Sequence, residues 1–185
     1  MFSENVFLIP YFIDRLEDNF IFDFFFKIAS DLGSDIPFFL KKGCALGRGR
    51  GEILEYFGLS MPFWTLIVMP GLNISTKEAY SSLNRDEKMS EPADLKEILK
   101  ASVNDASLLK SNVSNDFEEP AFKKFPELKE IKETLYNCGA VFALMSGSGS
   151  ALYGFFTNEY QAQFTIKQLN KYRLHLCPPD SIKFQ

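Results

Sequence analysis

Residues 140–156 constrain the fold more than any other stretch of the chain. Ala140 to Met145 is a short apolar run of strand type, and Ala151-Leu152-Tyr153-Gly154-Phe155-Phe156 is another. Ser146-Gly147-Ser148-Gly149-Ser150 joins them, so two strands must meet through a five-residue loop of serine and glycine alone. Small side chains let successive backbone N–H groups converge on one concavity, which is how an anion nest is built. The same composition also suits a plain tight turn, and the loop by itself is read equally either way. It is not a dinucleotide fingerprint, because Leu152 stands where the third glycine belongs. It has no Gly-Lys-Ser/Thr and so is no Walker loop, and it is no G-x-S-x-G nucleophile elbow.

The segments on either side of this loop predict alternating strands and helices. Phe63 to Met69 is apolar and β-branched and stops at Pro70-Gly71, a buried strand followed by a turn. Ser75-Thr76 precedes Lys77-Glu78-Ala79-Tyr80 as a helix start, and a hydroxyl such as that of Thr76 is commonly an N-cap there. Asn84 to Pro92 is polar and reads as a loop. Helices are expected over 93–102, 104–112 and 126–137, the last entered at Pro126 and left at Gly139. Asn158 caps a helix running to about Tyr172, and Leu174 and Leu176 lie in the closing strand. Strands alternating with helices indicate an α/β or α+β sandwich. His175 reads as a strand residue without a role.

Earlier in the chain, Cys44-Ala45-Leu46 enters the glycine-alternating turn Gly47-Arg48-Gly49-Arg50-Gly51, after which Glu52 to Tyr56 resumes with strand character. Phe20 to Leu32 predicts a helix with Phe22, Phe25, Phe26, Ala29 and Leu32 on one face. Eight phenylalanines fall in the first 26 positions, and before Phe20 no period of either kind emerges. Between Gly33, expected to close the helix in the left-handed conformation, and Pro37, expected to open the next element, stands Asp35. Taken alone, a carboxylate at such a corner is a cap more often than a base.

Composition narrows the function. The chain has 185 residues, enough for one substantial core or two small layered units. Its net charge of −4 lacks the basic footprint of a nucleic-acid binder, although a small phosphate ligand bound by local backbone donors remains compatible. Cys44, Cys138 and Cys177 are odd in number and far apart, and there is one histidine. A disulfide framework or metal site is therefore not expected, and a reducing cytoplasm is the default. No stretch supplies the about 20 uninterrupted apolar residues of a membrane span, and Glu4 as the first charge is unlike a signal peptide.

The order of the motifs carries more than any one of them. Gly33-Ser34-Asp35-Ile36-Pro37-Phe38-Phe39, Gly49-Arg50-Gly51-Glu52, Pro70-Gly71-Leu72-Asn73-Ile74-Ser75-Thr76, Ser114-Asn115-Asp116-Phe117-Glu118 and Met145-Ser146-Gly147-Ser148-Gly149-Ser150-Ala151 follow one another. From about Ile28 onward this resembles the 4-diphosphocytidyl-2-C-methyl-D-erythritol kinases, a family of the GHMP kinase superfamily in non-mevalonate isoprenoid biosynthesis. A homoserine or mevalonate kinase fits the Gly-Ser-Asp-Ile-Pro-Phe-Phe wording less well.

The resemblance implies an α+β, two-layer GHMP-kinase-like sandwich. Residues 1–62 would be a remnant of the N-terminal domain, with 1–27 unmatched, and 63–185 a ferredoxin-like C-terminal domain. It implies ATP-dependent phosphorylation of the 2-hydroxyl of a cytidine diphosphate methylerythritol, with ATP and Mg2+ as cofactors. Asp35 would be the base, accepting the hydroxyl proton as the phosphoryl group moves in line. Arg50, Thr76 and Tyr80 would contact substrate, Tyr80 by stacking on the cytosine. Gly147, Ser148, Gly149 and Ser150 would border the phosphate region.

The family's first strand with its catalytic Lys, and its main glycine-rich ATP loop, have no counterpart in these residues. The expectation is a chain inactive by itself. The alternative is a non-catalytic cytidine-ligand or protein-interaction remnant. The missing flank would expose apolar surface and favour self-association. No membrane or nucleic-acid partner is expected.

Overall fold

The computed structural model describes residues 19–33, 36–40, 44–48, 53–83 and 95–179, excepting the side chains of residues 19–23 and Arg48. Asp35, Arg50 and the whole polar loop expected over Asn84 to Pro92 lie outside the described residues. The chain divides into two compact units, the first running to Ser60 and the second beginning at Met61.

In the first unit, helix α1 spans Asn19–Leu32 and a short 3-10 helix spans Ile36–Leu40. Phe25, Phe26 and Ala29 pack with Leu40, a helical spacing that buries one face. Leu32 was expected on that face but is 72% exposed, and Phe24 and Ile28 are exposed with it. Steps of four residues carry 24, 28 and 32 along a face away from Leu40. Gly33 also departs from expectation. Its N–H donates to the Ala29 carbonyl at 3.1 Å and its φ is not positive, so it extends the helical bonding and makes no left-handed cap. Strands β1 (Cys44–Arg48) and β2 (Ile53–Phe57) form an antiparallel pair, so Gly47 and Arg48 of the expected glycine-alternating turn belong to β1 and the rest of it lies outside the described residues. The Tyr56 hydroxyl donates to the Pro37 and Phe38 carbonyls, both at 3.3 Å, tying β2 to the 3-10 turn.

The second unit is built on a four-stranded antiparallel sheet. Its strands are β3 (Trp64–Met69), β4 (Phe142–Met145), β5 (Leu152–Phe156) and β6 (Arg173–Cys177), in the order β4-β5-β3-β6. Helices α2 (Thr76–Ser82), α3 (Leu95–Ser102), α4 (Ser107–Asn112), α5 (Glu118–Lys124) and α6 (Pro126–Asn137) connect β3 to β4. Helix α7 (Glu159–Gln168) connects β5 to β6. This is the strand–helix–strand–strand–helix–strand plan of a ferredoxin-like fold.

One sheet face carries the main core. Leu66, Val68, Ala143, Met145, Leu152 and Phe156 alternate inward and meet Leu128, Ile131 and Leu135 of α6, with Ala162 of α7. Burying each large aliphatic side chain there contributes about 1.5–3 kcal/mol. Gly154 lets α6 approach, since a Cβ would stand 3.1 Å from Leu135 Cδ2. On the other face, Phe142, Leu144, Tyr153 and Phe155 pack with Leu99 of α3, Leu109 of α4 and Val113.

Helix α6 and the Asn158 cap match expectation, the Asn158 side chain accepting from the Gln161 N–H at 3.0 Å. Helix α7 stops at Gln168, short of Tyr172, and α4 starts at Ser107 instead of 104. Helix α5 was not anticipated. The cap of α2 is Ser75, whose Oγ accepts from Glu78 N–H, so Thr76 is the first helical residue and its hydroxyl is left for another partner.

Candidate functional site

The serine–glycine loop is a real bend at the end of the β4–β5 hairpin, and its backbone explains its composition. Gly147 has φ +54° and Gly149 φ +88°, both in the left-handed region that other residues rarely adopt. At Gly149 space is also lacking, because a Cβ would come within 2.8 Å of Met145 Sδ and 3.0 Å of Ile74 Cδ1. The loop closes on itself through two bonds, Ser146 N–H to Ala151 O at 2.8 Å and Gly149 N–H to Ser146 O at 3.0 Å. The Gly147 and Ser148 N–H groups have no hydrogen-bond partner among the described residues.

Neighbouring segments hold the loop from outside. Ser150 Oγ donates to the Leu72 carbonyl at 2.6 Å. The Thr76 and Ser148 hydroxyls approach to 3.4 Å. Asn115 Nδ2 donates to both the Met145 and Gly147 carbonyls, each at 2.8 Å, while its Oδ1 accepts from the Phe117 N–H at 3.0 Å. Glu118 Oε1 accepts from the Met145 N–H at 2.9 Å, and its Oε2 pairs with Lys132 Nζ at 2.5 Å.

These contacts follow from the place of β4 at the sheet edge. In an antiparallel ladder every second residue points its N–H and C=O away from its partner strand. On β4 those residues are Ala143 and Met145. The Tyr136 hydroxyl serves both groups of Ala143, accepting at 3.1 Å and donating at 3.2 Å. Glu118 and Asn115 serve the two groups of Met145. The edge is thereby closed to pairing with another chain.

Beside the loop lies an open depression of about 510 Å3, lined among others by Tyr80, Asn115, Asp116, Gly147 and Tyr153. Tyr80 is 55% exposed, and its ring meets Phe117 edge-on, with centroids 5.0 Å apart. Helix α2 is further tied to α5 by Lys124 and Glu78 at 2.7 Å, a contact that lowers the Glu78 pKa. Burial foremost, with the charges of Glu118 and Tyr136 adding to it, pushes the Tyr153 hydroxyl up to about 12, so it is neutral at physiological pH.

The structure thus places Tyr80 and Gly147 at one depression and brings Thr76 to Ser148 of the same loop. It does not describe Asp35 or Arg50, which belong to the first unit. Asn115 and Glu118 were part of a sequence motif but had no role assigned to them. An Asn and a Glu at i and i+3, just before a helix, were the only local sign, and nothing local says what they bind. Among the described residues no group of three or more His, Cys, Asp or Glu side chains is placed to hold a metal ion, and no helix is long and apolar enough to cross a membrane.

Comparison with known proteins agrees with this architecture. Residues 93–173 match the model described as GHMP kinases C terminal. A 4-diphosphocytidyl-2-C-methyl-D-erythritol kinase of Petrotoga mobilis is 44% identical over 133 residues, covering 69% of this chain and 51% of that protein. One of Chlorobium chlorochromatii is 39% identical over 156 residues, covering 82% of this chain and 54% of that protein. The chain spans about half the length of the curated relatives it matches. A crystal structure of 4-(cytidine 5'-diphospho)-2C-methyl-D-erythritol kinase superposes with a TM-score of 0.65 at 30% identity, over 82% of this chain and 55% of that one. A homoserine kinase from Cytophaga hutchinsonii superposes at 0.60 with 20% identity, over 75% and 49%, a likeness of fold alone. By sequence and by fold, this chain is similar to the GHMP kinases, and residues 93–173 match the model of their C-terminal domain.

Proposed function

We propose that this chain supplies the acceptor side of a kinase that phosphorylates the 2-hydroxyl of 4-diphosphocytidyl-2-C-methyl-D-erythritol. The observation that supports this reading most is the open depression that Tyr80 and Gly147 both line, with the Thr76 hydroxyl meeting the same loop at Ser148, 3.4 Å away. Tyr80 offers an exposed aromatic face on which a pyrimidine stacks. Such stacking is worth about 1–3 kcal/mol per base. The partnerless N–H groups of Gly147 and Ser148, with the Thr76 and Ser148 hydroxyls, suit an anionic phosphate oxygen. Arg50 would add charge on the substrate side. Asp35 would accept the proton of the acceptor hydroxyl while the phosphoryl group transfers in line.

ATP with Mg2+ is the donor implied by the family. The loop fits a phosphate, but the described residues offer no carboxylate set for Mg2+, so no step is assigned to the ion. These 185 residues contain no glycine-rich ATP loop of the kind the family uses. We therefore expect binding of the cytidine ligand without turnover. A reducing cytoplasm suits the unpaired cysteines, which are all free.

Calorimetric titration with 4-diphosphocytidyl-2-C-methyl-D-erythritol and separately with ATP–Mg2+, followed by a phosphoryl-transfer assay, tests the reading. Cytidine-ligand binding with no transfer supports the acceptor-side module. Transfer that falls at least a hundredfold in Asp35→Asn would make the chain a full kinase with Asp35 as base. No binding of either ligand to a cooperatively folded chain would refute both.

A further inference from the structure

Asn115 matters beyond holding the loop in place. We infer that Asn115, supported by Glu118, is the positioning residue that aims the Ser148 N–H at an anionic ligand oxygen, an inference resting on the acceptor-side reading above. The loop has two positive-φ glycines and only two internal hydrogen bonds, so its own sequence selects no single conformation. A neighbour must select it.

Asn115 does so through peptide geometry. In a planar trans peptide the C=O of one residue and the N–H of the next point in opposite directions. Anchoring the Gly147 carbonyl on Asn115 Nδ2 at 2.8 Å therefore turns the Ser148 N–H away from Asn115. The second Asn115 bond, to the Met145 carbonyl at 2.8 Å, aims the Ser146 N–H the same way, toward Ala151 O just before β5.

Asn115 is itself oriented without ambiguity. Its Oδ1 accepts from Phe117 N–H, so Nδ2 must face the two carbonyls. Glu118 fixes the preceding peptide by accepting from the Met145 N–H, and Lys132 fixes Glu118. Both side chains of that ion pair are mostly buried, at 14% and 21% exposure. Of the loop N–H groups without a partner among the described residues, the Ser148 N–H is the one whose peptide plane this clamp sets.

Asn115→Asp is the incisive variant. It is nearly isosteric and keeps the oxygen that accepts from Phe117, but it puts a carboxylate oxygen against two carbonyl oxygens. Calorimetric titration with 4-diphosphocytidyl-2-C-methyl-D-erythritol is run where circular dichroism shows each variant fully folded. Asn115→Asp is expected to weaken binding about tenfold or more, the scale of one lost hydrogen bond to a charged group. Glu118→Ala should weaken it comparably. Glu118→Gln retains an acceptor for Met145 N–H and should restore binding to within about threefold of the parent chain.

Unchanged affinity in folded Asn115→Asp overturns the inference. Equal loss in Glu118→Gln and Glu118→Ala overturns the part played by the Met145 bond and assigns the effect to the Lys132 pair. If the parent chain itself does not bind the ligand, the acceptor-side reading fails first, and this inference with it.

Discussion

Replacing Gly149 with alanine tests whether the loop's glycine is demanded by its backbone alone or also by its surroundings. Two costs are expected. At φ +88° a Cβ residue is strained, by roughly 1–2 kcal/mol. The added methyl would also lie 2.8 Å from Met145 Sδ and 3.0 Å from Ile74 Cδ1. Met145 is 1% exposed and belongs to the main core, with the half-buried Ile74 packed against it, so Met145 has no open space to swing into. Overpacking of this kind costs about 1–3 kcal/mol. The sum is about 2–5 kcal/mol for Gly149→Ala. Gly147→Ala is the internal control, because its φ is +54° but no atom lies within 4 Å of the added methyl. It should lose only the conformational part, about 1–2 kcal/mol. Urea unfolding followed by the fluorescence of Trp64, the single tryptophan and a β3 residue, reads both variants at constant m-value. Equal losses in the two variants would refute the steric argument, and with it the claim that Met145 and Ile74 pack against the loop.

Three further outcomes follow from the core and the ionisable groups. Leu135→Ala removes a fully buried contact between α6 and the sheet and should cost about 2–5 kcal/mol in the same urea assay. Tyr153, raised from 10.0 to about 12, is neutral by preference in the folded chain. Its contribution is complete below pH 10 and lost as pH rises through about 12, a fall of about 2–3 kcal/mol that Tyr153→Phe should remove from alkaline unfolding curves. Glu127 is held below its ordinary value of 4.5 by the Tyr172 hydroxyl first and Lys171 second. Its stabilising effect is present above pH 4.5 and lost as pH falls through the folded value. Acid unfolding of Glu127→Gln should therefore be less steep below pH 4.5 than that of the parent chain.

Elements with strong local signals were legible without a structure. Pro126 and Gly139 bracket α6, Asn158 caps α7, and the apolar run before Pro70-Gly71 is β3. Each is decided within a few residues, by a fixed φ, a side-chain oxygen or a left-handed glycine. Helix α5 escaped because it has seven residues, with Pro120 in its first turn, too short for a period to emerge. Thr76 was one residue out of place as a cap, and only the fold shows its hydroxyl meeting Ser148 from 72 residues away. The sequence by itself determined that two strands meet through a loop of serine and glycine. Only the tertiary structure decided that β4 lies at the sheet edge, so that Met145 turns its polar groups outward. Those groups need partners once they leave water, and Asn115 and Glu118, some 30 residues earlier in the chain, supply them. A hydrogen bond across that separation leaves no periodic mark in the sequence, which is why the clamp on the loop becomes visible only when the chain is folded.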